Sequence, residues 1–276
     1  MRPFILCLLL CLMFGTVSAQ QDLNILTYNI RYNNPGDSIN AWPNRKDWVK
    51  DLVEFYDTDI LCVQEALKEQ VDYLLQDSRF SMEGVGRDDG KTKGEYTAIY
   101  YDKTRFSKRA SGTFWLSDTP EKPSKGWDAN IVRICTWVRL FDSATKKDFY
   151  VFNTHYDHRG VNARLKSSEL LKNKISEIAG KLPVVLTGDL NTTPDTPPIT
   201  ELKSFLKDAK EVSRAKPYGP EGTFNGFKFN AELKERIDYI FVNDKIEVLK
   251  FAVLSDSKNQ RYPSDHLPVL VKARLK

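Results

Sequence analysis

One stretch constrains this chain more than any other: Val184-Val185-Leu186-Thr187-Gly188-Asp189-Leu190-Asn191. An apolar run closed by Gly-Asp-x-Asn predicts a buried strand that delivers a carboxylate and an amide to its carboxyl end, where open α/β sheets collect their chemistry. Asp189 can take a proton from water or hold a cation. Asn191, two residues on, lies on the same side of an extended backbone and can donate to an anionic ligand without adding charge. That pairing suits hydrolysis of a phosphate ester. The same residues, followed by Thr-x-Pro, are also sound turn chemistry, so the other strands must decide between the readings.

Most of the remaining apolar segments also read as strands. Residues 23–30, 59–63, 95–101, 112–116, 131–141, 149–155, 237–242, 246–254 and 264–271 carry β-branched and aromatic content or alternation. In the 131–141 segment Val132, Ile134, Val138 and Leu140 share one face and Arg133, Cys135, Trp137 and Arg139 the other. Such alternation predicts an antiparallel strand with one core face. Helices are predicted from about residue 45 with Asn44 as N-cap, over 66–76, over 162–179 with Gly180 past its end, and near 199–206. Strands outnumber helices and look mostly antiparallel. The expected architecture is therefore α/β of the α+β kind, two packed sheets with helices outside.

Arg2, the apolar run from Phe4 to Phe14, and Val17-Ser18-Ala19 have the three regions of a cleavable secretory signal. The run is shorter than the roughly 20 apolar residues of a membrane span, and polar Gln20-Gln21-Asp22 follows it. Leu10, before Cys11 and deep in the apolar stretch, argues against a lipoprotein cleavage site. Residues 1–19 are thus expected to be a signal peptide, cleaved near Ala19, leaving an exported protein, periplasmic or secreted, with no membrane segment. Residues 20–276 have no low-complexity linker and no repeat, and are expected to form one catalytic domain, a monomer. Two of the four cysteines leave with the signal. Cys62 and Cys135 remain in apolar runs, which excludes a disulfide-stapled scaffold and predicts two buried thiols, their pairing left open. The formal charge of +4 is well mixed and too small to predict nucleic-acid binding from bulk electrostatics.

Polar residues recur where apolar strands end: Asn29, Glu65, His155, Asp189 with Asn191, Asp238, and Asp265 with His266. Turns do not demand Glu and His specifically. The motifs Thr-Tyr-Asn-Ile (27–30), Val-Gln-Glu (63–65), Asn-Thr-His (153–155), Thr-Gly-Asp-Leu-Asn (187–191), Arg-Ile-Asp-Tyr-Ile (236–240) and Pro-Ser-Asp-His-Leu-Pro (263–268) span nearly the whole mature chain. In this order the set resembles the endonuclease/exonuclease/phosphatase superfamily.

The resemblance implies a four-layer αββα sandwich of two mixed β-sheets flanked by helices. It implies Glu65 as the main ligand of Mg²⁺ or Mn²⁺, with Asn29 and Asp265 beside it in the metal and phosphate pocket. Mg²⁺ prefers hard oxygen ligands and binds through one or two carboxylates plus substrate phosphate. Asp189 would orient and deprotonate the attacking water, and Asn191 would hold a phosphoryl oxygen. His266 would contact phosphate, with Asp238 fixing its tautomer and favouring the cation. His155 matches the second histidine, and Glu95 its carboxylate partner. In-line attack of water on phosphorus follows, without a covalent intermediate; neither cysteine sits beside a histidine in these motifs.

Weaker signals surround this set. His155 and His158 form a His-x-x-His pair that could suggest zinc, although a loop or substrate-contacting histidine is the simpler reading. Arg164 is a candidate phosphate clamp, and Phe224 with Asn225 a candidate substrate wall. Residues 86–90 and 114–117 are candidate rims. The substrate stays open between a nucleic acid, with the enzyme a nuclease, and a small or lipid-derived phosphate of the inositol phosphate or sphingomyelin type. An inactive binding module would have lost Asp189, Glu65 or His266, and all three are present.

Overall fold

The computed structural model describes residues 21–276. Residues 1–19, expected from the sequence to be a signal peptide, lie outside them. The first sheet contains β1 (Leu23–Asn29), β2 (Ile60–Gln64), β3 (Phe80–Glu83), β4 (Ile99–Asp102), β11 (Ile246–Val253) and β12 (Val269–Leu275), in the order β11-β12-β1-β2-β4-β3. The second contains β5 (Phe106–Trp115), β6 (Ile134–Asp142), β7 (Lys147–His155), β8 (Val184–Asp189), β9 (Lys207–Asp208) and β10 (Asp238–Val242), in the order β5-β6-β7-β8-β10-β9. Only β1 with β2 and β7 with β8 pair in parallel among the described strands. The helices are α1 (Lys46–Phe55), α2 (Lys68–Leu74), α3 (Val161–Ala179) and α4 (Pro197–Lys203).

Side-chain direction assigns the layers. Between the sheets, Ile25, Ile60 and Ile99 face Val138, Val151, Val185 and Ile240. On the outer face of the first sheet, Leu26, Tyr28, Leu61 and Val63 meet Val49 and Leu52 of α1 and Val71 of α2. On the outer face of the second, Phe152, Leu186 and Phe241 meet Leu171 and Ile175 of α3 and Leu202 of α4. The fold is the αββα sandwich of two mixed sheets. Because both faces are covered, β2 and β8 are buried at every position and read as continuous apolar runs rather than alternations.

That covering also corrects the expectation for β6. Cys135 and Trp137 pack into the outer core, so the strand has two apolar faces, and it starts at Ile134, leaving Arg133 in the preceding loop. Asn44 is not a helix cap: it closes a 3-10 turn, Trp42–Asn44, and donates to Ser38 O, while Arg45 precedes α1. The 264–271 strand begins only at Val269, because Pro263 and Pro268 bracket a loop and supply no N–H to a ladder. Strand β3, short and at the sheet edge, has no counterpart in the sequence reading. Cys62 and Cys135 are free and buried, and burial pushes the Cys62 thiol up to about 12. Among the described residues no helix is long and apolar enough to cross a membrane.

The pairing register gathers the strand ends. Asn29 stands opposite Gln64, His155 opposite Asp189, and Asp238 opposite Asp189 on its other side. Just beneath, a buried polar bridge ties the sheets together. Gln64 Nε2 donates to Asn153 Oδ1 at 2.6 Å, and Asn153 Nδ2 donates to Val63 O and Ala98 O at 2.9 Å each. Apart from Gln64 Oε1, which has no partner, the polar groups of this bridge are paired, and a hydrogen-bonded network in a dry interior fixes relative position more strongly than apolar contact does.

Candidate active site

The strand ends open into a cavity of about 500 Å³. All three histidines of the chain line it, as do Glu65, Glu95, Asp189, Asn191, Phe224 and Asp265. Three of the residues that position it hold left-handed backbone: Arg31 at φ 56°, Glu65 at 63° and Asn191 at 47°. Non-glycine residues adopt that region rarely, and it concentrates where a fold aims side chains at a site.

Asp189 lies at the floor, 1% exposed. Its Oδ2 accepts from Asn29 Nδ2 at 2.9 Å and its Oδ1 from the Asn191 backbone N–H at 2.9 Å. Burial first, then the Asp238 carboxylate, push its carboxyl up to about 7, against the pull of His266 and these hydrogen bonds. His266 Nδ1 donates to Asp238 Oδ2 at 2.9 Å, and its Nε2 lies 3.7 Å from Asp189. Burial disfavours its cation, yet Asp238 and Asp189 outweigh that cost and hold its pKa well above the ordinary imidazole value. The ring is edge-on to Phe224, 5.1 Å between centroids.

His155 is in the opposite state. Burial, then the guanidinium groups of Arg133 and Arg87, drive its pKa well below the ordinary value. Neutral, it accepts at Nε2 from Asn191 Nδ2 at 3.0 Å, which places its proton on Nδ1. The second amide hydrogen of Asn191 goes to Tyr156 O at 3.0 Å, so both of its donors are engaged in holding His155 and the adjoining chain. Glu95 Oε2 is 4.0 Å from His155 Nδ1, beyond hydrogen-bond reach, and is held by Arg87 Nη1 at 2.5 Å.

The donor set at Glu65 fits a hard divalent cation. Its Oε1 accepts from Asn29 Nδ2 at 3.1 Å and its Oε2 from Tyr32 N at 3.2 Å, which leaves lone pairs free on both oxygens. Asp265 reaches the same wall; Arg31 stands 3.8 Å from Glu65 and 3.9 Å from Asp265. Burial raises the Asp265 carboxyl. Asn29 turns its amide nitrogen toward Glu65 and Asp189 because its oxygen accepts from Arg31 N at 3.0 Å. Ligand atoms of Glu65, His155 and Asp189 also come within 4.8 Å of one another, as do those of Asp189, Asp238 and His266. In the latter set the His266 nitrogen facing Asp238 carries the proton of their hydrogen bond.

Other candidates sort by position. Phe224 lines the cavity, whereas Asn225, 3% exposed, supports it by donating to Ser264 O. Arg164 lies outside the wall, donating to Asp157 O at 3.0 Å. His158 lines the cavity and pairs with Arg133 rather than joining a histidine metal set. Arg31, Tyr32, Arg133, Glu235 and Ile237 also line it and were not marked by sequence reasoning. The available signal for Arg31 and Ile237 was adjacency to the motifs. For Arg133 it was a charged residue set between apolar Val132 and Ile134 near the start of the 131–141 segment. Arg45, buried beside the site, donates to the Ile30, Arg31 and Pro263 carbonyls and so joins the loop after β1 to the one carrying Asp265.

Two mixed sheets that converge carboxylates, amides and paired histidines on one edge define a phosphoesterase-like scaffold. The chain belongs to the endonuclease/exonuclease/phosphatase family, whose sequence pattern matches residues 26–266, and it is a phosphoesterase of that family. It is similar to the crystal structure of an endonuclease/exonuclease/phosphatase family protein from Bacteroides thetaiotaomicron, at TM-score 0.88 and 38% identity over 93% of this chain and 99% of that one. It is similar, too, to a mannosyl-6-phosphatase of the same species, at TM-score 0.87 and 38% identity over 91% of this chain and 99% of that one. An uncharacterised protein of Acanthamoeba polyphaga mimivirus is 29% identical over 170 residues, 56% of this chain. The chain spans 61% of that relative's length.

Proposed function

We propose that this protein hydrolyses a compact phosphate monoester, of the sugar-phosphate class, in a reaction dependent on Mg²⁺ or Mn²⁺. The observation that carries the reading is the charge of the cavity wall. Glu65, Glu95, Asp189, Glu235 and Asp265 line it against Arg31, Arg133 and the cationic His266. A nucleic acid, with a phosphate at every residue, would meet this excess of carboxylates at the point of cleavage. One phosphoryl group balanced by a divalent cation fits. The cavity volume falls within the range of roughly 300–1,000 Å³ typical of small-molecule sites. The 38% identity to a mannosyl-6-phosphatase points the same way. The apolar amino-terminal segment adds the proposal that the enzyme is exported and meets its substrate outside the cytoplasm.

The chain's own residues divide the work. Asp189, fixed by Asn29 and the Asn191 N–H, takes the proton of the attacking water, which its raised pKa suits near neutrality. His266, kept cationic by Asp238, stabilises charge that develops on the phosphoryl oxygens. His155, neutral and oriented by Asn191, offers Nδ1–H to the other side of the group. A divalent cation held at Glu65, with Asp265 alongside, would supply Lewis-acid polarisation of the phosphoryl and leaving oxygens. Asn29 positions both Glu65 and Asp189 for these tasks.

The test is hydrolysis of hexose 6-phosphates, inositol phosphates, a sphingomyelin-type diester, and single- and double-stranded oligonucleotides, read as phosphate release for the monoesters and as separated cleavage products for the diesters, with Mg²⁺, Mn²⁺ or chelator, and with Asp189→Ala in parallel. Metal-dependent turnover of the sugar phosphates that falls by about 10³-fold or more in the variant is the expected result. Preferential cleavage of oligonucleotides with a steep salt dependence would overturn the substrate assignment.

A further inference from the structure

Thr223 is fully buried, one residue before Phe224 of the cavity wall. Its polar groups are bound to the two segments that carry Asp238 and His266. The N–H donates to Glu235 O at 2.8 Å, and the carbonyl accepts from Leu267 N at 2.6 Å. The side-chain oxygen accepts from Ile237 N at 3.0 Å and from Asp238 N at 3.1 Å. The need for a side-chain acceptor follows from the sheet. Strand β9 pairs with β10 only at Phe241 and Val242, so it does not reach the amides that open β10. One hydroxyl takes both, filling its two lone pairs. Buried backbone N–H groups without an acceptor are rare and costly, so the residue placed here must supply an oxygen.

The chain after Thr223 continues the connection. Phe224 pairs with His266 across an isolated bridge, and Asn225 N and Gly226 N donate to Asp265 O at 2.8 and 3.0 Å. On the other side, Ile237 O accepts from the N–H of Leu190, the residue after Asp189, at 2.8 Å. Thr223 thus stands where the opening of β10 is tied to the loop before β12. The 2.9 Å bond from His266 Nδ1 to Asp238 Oδ2 spans the same two segments.

We propose that Thr223 is a positioning residue for the reaction, whose hydroxyl and carbonyl oxygens together set the separation at which Asp238 meets His266. The inference rests on the part given above to that pair in phosphate-ester hydrolysis and adds what holds the pair in register. Thr223 does not line the cavity, so its effect passes through the pair. The hydroxyl carries the role and the methyl group does not, which two substitutions separate. Thr223→Val keeps the size and the β-branching and removes the acceptor. Thr223→Ser keeps the acceptor and removes the methyl group.

The experiment combines magnetic resonance with steady-state kinetics. In the wild type, which needs no variant to fold, the Ile237 and Asp238 amides are expected to exchange slowly with solvent; exchange of both at the rate of unprotected amides overturns the proposal. The low-field proton signal of His266 Nδ1, assigned by its loss in Asp238→Asn, is expected in the wild type and in Thr223→Ser, and absent or shifted upfield in Thr223→Val. With a hexose 6-phosphate and Mg²⁺, Thr223→Val is expected to lower kcat by about 10- to 100-fold, as a misplacement of up to ~1 Å does, with KM within about threefold of the wild type. Thr223→Ser is expected to restore kcat to within about fivefold. A serine variant as impaired as the valine one, or a valine variant with signal and kcat intact, overturns the proposal. If Asp238→Asn keeps its kcat, the part given to the pair falls and Thr223's with it. If Asp238→Asn loses activity and Thr223→Val does not, only Thr223's role falls. If the wild type leaves the sugar ester uncut, the substrate assignment falls, and the His266 signal in the two variants still decides for or against Thr223.

Discussion

Gly188 offers a direct test of how the fold places Asp189. It sits in β8 opposite Thr154 of β7, one residue before His155 and Asp189 face each other. A Cβ at this position would lie 2.2 Å from Thr154 O and 3.0 Å from Thr154 Cγ2, about 1 Å or more inside ordinary contact. The obstacle is backbone in a buried parallel pair, so no side-chain rotation relieves it. Gly188→Ala must force β7 and β8 apart where the site residues leave them. Overpacking of this kind costs about 1–3 kcal/mol, which for a chain of this size lowers the melting temperature by roughly 3–10 °C. Activity should suffer more than stability. Asp189 is held by bonds of 2.9 Å to Asn29 and to the Asn191 N–H, and a misplacement of ~1 Å costs on the order of 100-fold in rate. Gly126→Ala is the control. Its Cβ would meet Leu116 O at 2.2 Å, an equal overlap in a loop away from the cavity wall. Thermal melts and kcat/KM on both variants separate the effects, with Gly126→Ala losing stability and far less activity. A Gly188→Ala protein that melts within about 1 °C of the parent and keeps kcat/KM within about threefold would refute the reasoning.

Asp157 should report in acid: burial raises its carboxyl, but the N–H groups of Gly160, Arg159, Asn130 and Ile131 outweigh it and bring it to about 2. A folded pKa below the unfolded value contributes stability that is present above about pH 4 and lost as pH falls through 2, about 2 kcal/mol in all. Fluorescence-monitored denaturant melts from pH 5 to 2 should show this slope in the parent and a flatter one in Asp157→Asn. Asp238→Asn should lower kcat by about 100-fold with little change in KM, since His266 loses the partner at 2.9 Å that keeps it cationic; steady-state kinetics with unchanged kcat would remove Asp238 from the mechanism. Asn29→Ala deletes the amide shared by Glu65 and Asp189 and should raise the Mg²⁺ concentration giving half-maximal activity by about 10–100-fold. A metal titration that superimposes on the parent's would show that Asn29 holds neither carboxylate in place.

Asn29, His155 and Asp189 were legible because each closes an apolar strand, and the pleat that buries the strand aims its last polar side chain at the edge, whereas Asp265 and His266 lie in the loop before β12 and were legible by motif alone. Residues 187–191 and 153–155 carried that signal in a few adjacent letters. What escaped were groups whose role depends on a distant partner. Arg133 reads locally as the polar face of a strand, and only the loop holding Glu95 and the turn holding His158 make it a buried donor facing a cavity. Asn44 looked like a cap because Asn commonly is one, yet Pro43 beside it favours a 3-10 turn that consumes the position. The second apolar face of β6 was invisible for a similar reason. Cys135 and Trp137, interleaved with Arg133 and Arg139 on one face of the alternation, become core only once another layer lies over them. Glu95 stands 4.0 Å from His155, but Arg87, from the 86–90 stretch read only as a rim, claims the carboxylate.

The two paired histidines show why residue type alone cannot assign a role here. Both are buried and both lie within 4 Å of Asp189. His266 adds a carboxylate at 2.9 Å and is cationic; His155 adds an amide donor and two guanidinium neighbours and is neutral. Environments that push two like groups apart in pKa are how one site offers charge stabilisation on one side and a fixed neutral donor on the other. The same accounting bears on the proposed metal. With five carboxylates in the wall against two guanidinium groups and one imidazolium, a phosphate dianion would enter a field that repels it. A divalent cation at Glu65 would therefore be needed for substrate to bind as well as for the leaving oxygen to depart. Chelation should then raise KM as well as lower kcat, whereas a cation acting on the chemical step alone would leave KM in place.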